Sequence, residues 1–69
     1  MNYDEVMNKL EEILNPAKHE DYKIADKYFY YCLGWIDALY SEMMLTPYDY
    51  ISVKKFIMRA MDLNSDKEE

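Results

Sequence analysis

The chain holds a single cysteine, a single histidine, a single glycine and two prolines among 69 residues. One cysteine closes no intrachain disulfide, and one histidine builds no His-rich metal site. One glycine, Gly34, supplies no glycine-rich phosphate loop. Long apolar runs are missing too. The longest uncharged stretch runs from Tyr28 to Ile36, well short of the roughly 20 residues that span a bilayer. Positive charge is scarce, with 8 Lys and Arg against 14 Asp and Glu and a net charge of −6. That balance disfavours duplex nucleic acid, whose binders need cations to displace counterions from phosphates. It equally disfavours anionic lipid. It suits a protein that meets a basic surface on a partner.

A chain of this length is one domain, and such a domain buries only about 60 % of its unfolded surface. Small folds usually add disulfides, a metal or a partner subunit. The first two lack residues here, so helix packing alone or a partner must supply the support. The opening segment MNYDEVMNKLEEIL is acidic and amphipathic, with neither a basic n-region nor an apolar h-region. With Cys32 centred on an apolar face, this reads as a protein of a reducing compartment, the cytoplasm.

What is present is helical periodicity. The first helix is predicted from about Tyr3 to Leu14, with Asn2 as N-cap and Glu5 completing a capping box. Tyr3, Val6, Met7, Leu10, Ile13 and Leu14 form its apolar stripe, and Asn15-Pro16 stops it. Residues 15–20, NPAKHE, form a polar connection; alternatively Asn15 caps, and Pro16 opens, an early turn of the next helix. The second helix is predicted from about Asp21 to Met44. Lys23, Lys27, Tyr30, Gly34, Asp37 and Ser41 share its narrow polar stripe at 100° per residue, opposite an apolar arc of roughly 200°. One neighbour cannot cover such an arc, so two must flank it. In the break at residues 45–50, LTPYDY, Thr46 is an N-cap, Pro47 the first helical residue and Leu45 with Tyr50 a hydrophobic staple. The third helix is predicted from Pro47 to about Leu63, burying Tyr50, Val53, Phe56, Ile57, Ala60, Met61 and Leu63. The short connection makes helices 2 and 3 an antiparallel hairpin. The expected fold is all-α: a compact three-helix bundle with a long central helix, one domain over residues 1–63 and a disordered acidic tail over 64–69.

Few residues carry reactive chemistry. Cys32 and His19 lie 13 positions apart, roughly 20 Å on a continuous helix, too far for a nucleophile and its base. The carboxylate pairs Asp4-Glu5 and Glu11-Glu12 lie on an outer face, where nothing raises a pKa for acid–base work. The segment Asp62-Leu63-Asn64-Ser65-Asp66 begins like a calcium loop, but Lys67 stands where that loop requires glycine. Catalytic, cofactor-binding and metal-binding residues are therefore all read as none. Lys54, Lys55 and Arg59 form the local basic cluster of helix 3, too few for firm duplex binding.

Eight tyrosines are the compositional excess. Tyr30 lies in the polar stripe of helix 2, and Tyr48 lies outside helix 3 near Ile51 and Met58. Exposed Tyr, Met and Ile resemble the make-up of interface centres. The partner-binding candidates are Tyr30, Tyr31, Tyr40, Tyr48, Ile51 and Met58 as anchors. Asp4, Glu5, Glu11, Glu12 and Asp37 would meet cations on the partner. Gly34 and Ala38 would admit a helix at close range.

Gly34-Trp35-Ile36-Asp37-Ala38-Leu39-Tyr40, followed by Leu45-Thr46-Pro47 and Asp49-Tyr50, resembles a pattern of small helical proteins of phages and prophages, a group that includes anti-CRISPR proteins. Here the turn lacks the glycine such patterns often carry. The resemblance implies an accessory protein that binds and occludes a host defence complex. The sequence thus points to a non-enzymatic protein-binding module for a larger protein or complex with a basic surface. Two alternatives stand beside it: a structural homo-oligomer, in its simplest form a homodimer, built on the apolar face of helix 2, and a small DNA-binding regulator using helix 3.

Overall fold

The computed structural model describes residues 2–16 and 22–65. The described residues form three helices and no strand: α1 (Tyr3–Leu14), α2 (Tyr22–Ser41) and α3 (Pro47–Ser65). They pack as a three-helix bundle around α2. His19 and the connection at residues 17–21 lie outside the described residues, as do residues 66–69 of the expected tail.

Local signals place the helix starts. The side chain of Asn2 accepts the Glu5 N–H at 2.9 Å, satisfying one of the four orphan donors of α1. The hydroxyl of Thr46 accepts the Asp49 N–H at 3.1 Å, and Pro47 follows it as the first residue of α3. Leu45, one residue before that cap, is buried in the core, as a staple residue should be. At the end of α1, Asn15 keeps helical dihedrals and donates to the Glu11 carbonyl at 2.9 Å, although a proline follows. Pro16 has no N–H to continue the ladder, and the helix stops there.

α2 ends at Ser41, short of the predicted Met44. Met43 has φ 60°, its N–H reaches the Tyr40 carbonyl at 3.0 Å, and the Met44 N–H reaches the Leu39 carbonyl at 2.9 Å. This is a Schellman C-cap with methionine where glycine is the usual residue. It turns the chain within a few residues, so α3 runs back along α2. At one end of that interface the Tyr50 hydroxyl meets Asp37; at the other, Asn64 Nδ2 donates to Asp26 Oδ1 at 3.1 Å. Asn64 is buried, and α3 continues through Ser65. The bundle therefore reaches past the predicted boundary at residue 63, because Asn64 falls on the core side of α3. Residues 62–65, where the sequence begins like a calcium loop, are helical.

The core follows a seam. Ala25, Phe29, Cys32, Ile36 and Leu39 of α2 are buried at alternating steps of four and three. Val53, Ile57 and Asn64 of α3 are buried on the matching seam, with Tyr50 half-buried before them and Ala60 half-buried between Ile57 and Asn64. Val6, Leu10 and Leu14 of α1 complete the core. This is the spacing of helices that pack nearly in line. Tyr28 and Trp35 flank the α2 seam on one side and Leu33 on the other, all half-buried. The covered arc is thus about 160° at 100° per residue. It is narrower than predicted because Ile24, Tyr31, Tyr40 and Met44 are exposed and Met43 lies beyond the helix. Two neighbours still cover it: α3 along most of its length and α1 over a smaller area. Tyr3, expected in the α1 stripe, is exposed.

Two opposite substitutions should stabilise the fold. A Cβ built on exposed Gly34 meets nothing within 4 Å, so Gly34→Ala removes backbone freedom without a clash. Met43→Gly relieves the left-handed backbone. Each should raise the unfolding free energy by roughly 0.5–1 kcal/mol, read as a higher denaturation midpoint at unchanged slope. A lower midpoint for either would contradict the geometry.

Candidate protein-binding surface

The residues singled out from the sequence fall in separate places. Asp37 and Tyr40 are occupied within the molecule. The Tyr50 hydroxyl donates to Asp37 Oδ1, and the Tyr40 and Tyr50 rings stack at 4.5 Å and 16°. Lys54 Nζ sits 5.5 Å from the centre of the Tyr50 ring. The carboxylate of Asp37 holds the Tyr50 proton and pushes that phenol above its ordinary pKa. This cluster joins the last turns of α2 to the first turns of α3.

Tyr30 and Tyr31 stand on the outward face of α2, 62 % and 63 % exposed, with Gly34 and Ala38 also in solvent. Tyr48, 86 % exposed, stands at the start of α3. Ile51 and Met58 line a shallow depression on α3 together with Lys54, Lys55, Arg59 and Asp62. The apolar row read from the sequence is therefore set among cations. Asp4, Glu5, Glu11 and Glu12 are exposed on α1, where Glu12 pairs with Lys9 at 3.6 Å. An exposed pair of this kind adds little stability.

One concavity was not read from the sequence. Between α1 and α3 runs an open groove of about 890 Å³. Phe29 of α2 lines it, with Leu14 from α1 and Phe56, Ala60 and Leu63 from α3. Glu11 and Glu12 line it from the α1 side. Phe56 and Leu63 were predicted to lie in the core of α3, but they are 40 % and 64 % exposed. The apolar surface of α3 is wider than α2 alone covers, and α1 does not close over the remainder. Of the residues named from sequence, the groove gathers Glu11 and Glu12; Tyr30, Tyr31, Tyr48, Ile51 and Met58 lie elsewhere. The sequence signal for the groove was the breadth of apolar positions on α3, read there as core.

Cys32 is fully buried and its thiol is pushed up to about 11 by burial. The thiolate is the nucleophile, so this cysteine is unreactive in the folded chain. Among the described residues, no group of three or more His, Cys, Asp or Glu is placed to hold a metal ion. None of their helices is long and apolar enough to cross a membrane. No protein-family model matches the chain, and comparison with curated proteins and with solved structures gives no match.

Burial of Cys32 gives a pH dependence. The folded thiol titrates near 11, against 9.0 for an ordinary one. Its contribution to stability is fully present below about pH 9 and is lost as pH rises through about 11, because the unfolded chain releases that proton first. The denaturation midpoint of the wild type should therefore fall more steeply over this range than that of Cys32→Ala. Parallel pH profiles would contradict the burial.

Proposed function

We propose that this chain is a small acidic, non-enzymatic protein-binding module whose docking surface is the groove between α1 and α3. The observation that carries the reading is the pairing of an apolar lining (Phe29, Phe56, Ala60 and Leu63) with two carboxylates, Glu11 and Glu12, along one edge. Apolar grooves between helices take amphipathic helices. The acidic edge selects one with cations beside its apolar face. The resemblance to phage accessory proteins fits a protein-binding role.

A DNA-binding role for α3 has less support. Lys54 is engaged over Tyr50, which leaves Lys55 and Arg59 as the uncommitted cations of that face.

The test uses a labelled amphipathic helical peptide with lysines flanking its apolar face, and an acidic counterpart of equal apolar content. Anisotropy is followed at a protein concentration where sedimentation shows a monomer. The basic peptide should bind, the acidic one should not, and Leu63→Glu should weaken uptake roughly tenfold or more. No uptake of the basic peptide by the monomer, or equal uptake by wild type and Leu63→Glu, removes the groove as the docking surface.

A further inference from the structure

We infer that the helix entering this groove is α3 of a second copy of the same chain, in a two-fold dimer whose axis runs parallel to the helices. The inference rests on the groove being a docking surface and adds the identity of its occupant.

Charge placement carries the argument. Charge differs across the groove: α1 brings Glu11 and Glu12 into its lining, whereas Arg59, outside the lining, is the helical neighbour of Phe56 at three residues and of Leu63 at four on the outer side of α3. Lys55 and Arg59 also line the outer depression of α3. Among the described residues, neither forms an ion pair within the chain. The molecule thus presents an apolar strip, acidic on one side and basic on the other, with its cations uncommitted.

The axial level of these charges selects the symmetry. Asn8 near the middle of α1 shares the groove with Phe56 near the middle of α3. Leu14 and Asn15 at the end of α1 share it with Leu63 and Asn64 at the end of α3. The groove's lining is centred on Glu11 and Glu12 along α1 and on Ala60 along α3, which puts the two glutamates level with Ala60 and its neighbour Arg59. A two-fold axis parallel to the helices turns one groove to face another, keeps every residue at its level and exchanges the edges. Each α1 then lies against the other copy's α3, and Glu11 and Glu12 of each face Arg59 of the other. Phe56 and Leu63 of both copies close over the Phe29 side chains. A two-fold axis lying across the groove would instead set α1 on α1, glutamate against glutamate. The closed arrangement is self-complementary, as a two-fold contact must be. It also gives a 69-residue chain the oligomeric support that small folds without disulfide or metal commonly need. This dimer covers α1 and α3, and leaves the outward face of α2 free.

Charge reversal tests it, with helicity of each variant checked by circular dichroism. Sedimentation of the full chain at micromolar to millimolar concentration should show a dimer. The variant Glu11→Arg/Glu12→Arg should weaken self-association roughly tenfold or more, and so should Arg59→Glu. Mixed in equal amounts, the two reversed chains should recover a dimer, because both of their shared edges again pair opposite charges. Three results overturn the proposal: a wild type monomeric throughout, a dimer indifferent to both reversals, or folded reversed chains that fail to associate when mixed. A monomeric wild type that still takes the basic peptide into its groove overturns the dimer alone. A monomeric wild type that takes up no peptide removes both the dimer and the groove reading.

Discussion

Everything else in this molecule depends on the antiparallel packing of α3 along α2. It joins two seams of alternating three- and four-residue spacing and is fastened at both ends by polar contacts between the helices. Near the turn, Tyr50 donates to Asp37 while stacking on Tyr40; at the far end, Asn64 donates to Asp26. Between them Cys32, Ile36, Val53 and Ile57 are fully buried. Apolar contact along the seam supplies the driving force. The polar contacts fix register, since sliding one helix past the other would strand Asn64 and Asp26 without each other.

With that hairpin in place, α1 has one choice left, which side of α2 to cover and how far to reach toward α3. It buries Val6, Leu10 and Leu14 and stops short of closing over Phe56 and Leu63. Two large apolar side chains are left beside two glutamates. The reason is where α1 rests: it packs on α2, and its side from Asn8 to Asn15 borders the groove without covering the Phe56 and Leu63 edge of α3. The functional proposals grow from that placement.

The surface tyrosines gain a different meaning from the structure. A high tyrosine count reads as an interface composition, yet the eight do not form a single patch. Tyr40 and Tyr50 hold the hairpin together, Tyr28 flanks the seam, and Tyr30, Tyr31 and Tyr48 remain outside. Composition reports how many such rings a chain carries, and only neighbours across helices decide which are spent internally. The same holds for Asp37, whose carboxylate serves Tyr50.

The amino-acid sequence by itself determined the features that depend on a few adjacent residues: the Asn2 and Thr46 caps, the stop at Pro16, the three helices and the hairpin. Each rests on a hydrogen bond or a steric limit inside one turn of chain, so spacing alone reveals it. The Schellman turn at Met43 escaped that reading because methionine occupies the left-handed position where glycine would have marked it. Tertiary structure alone decided that Asn64 is core while Phe56 and Leu63 are not. All three lie on a broad arc of α3, and which part of that arc is covered depends on where α1 comes to rest. That position is set by contacts far apart in sequence, which no local pattern encodes.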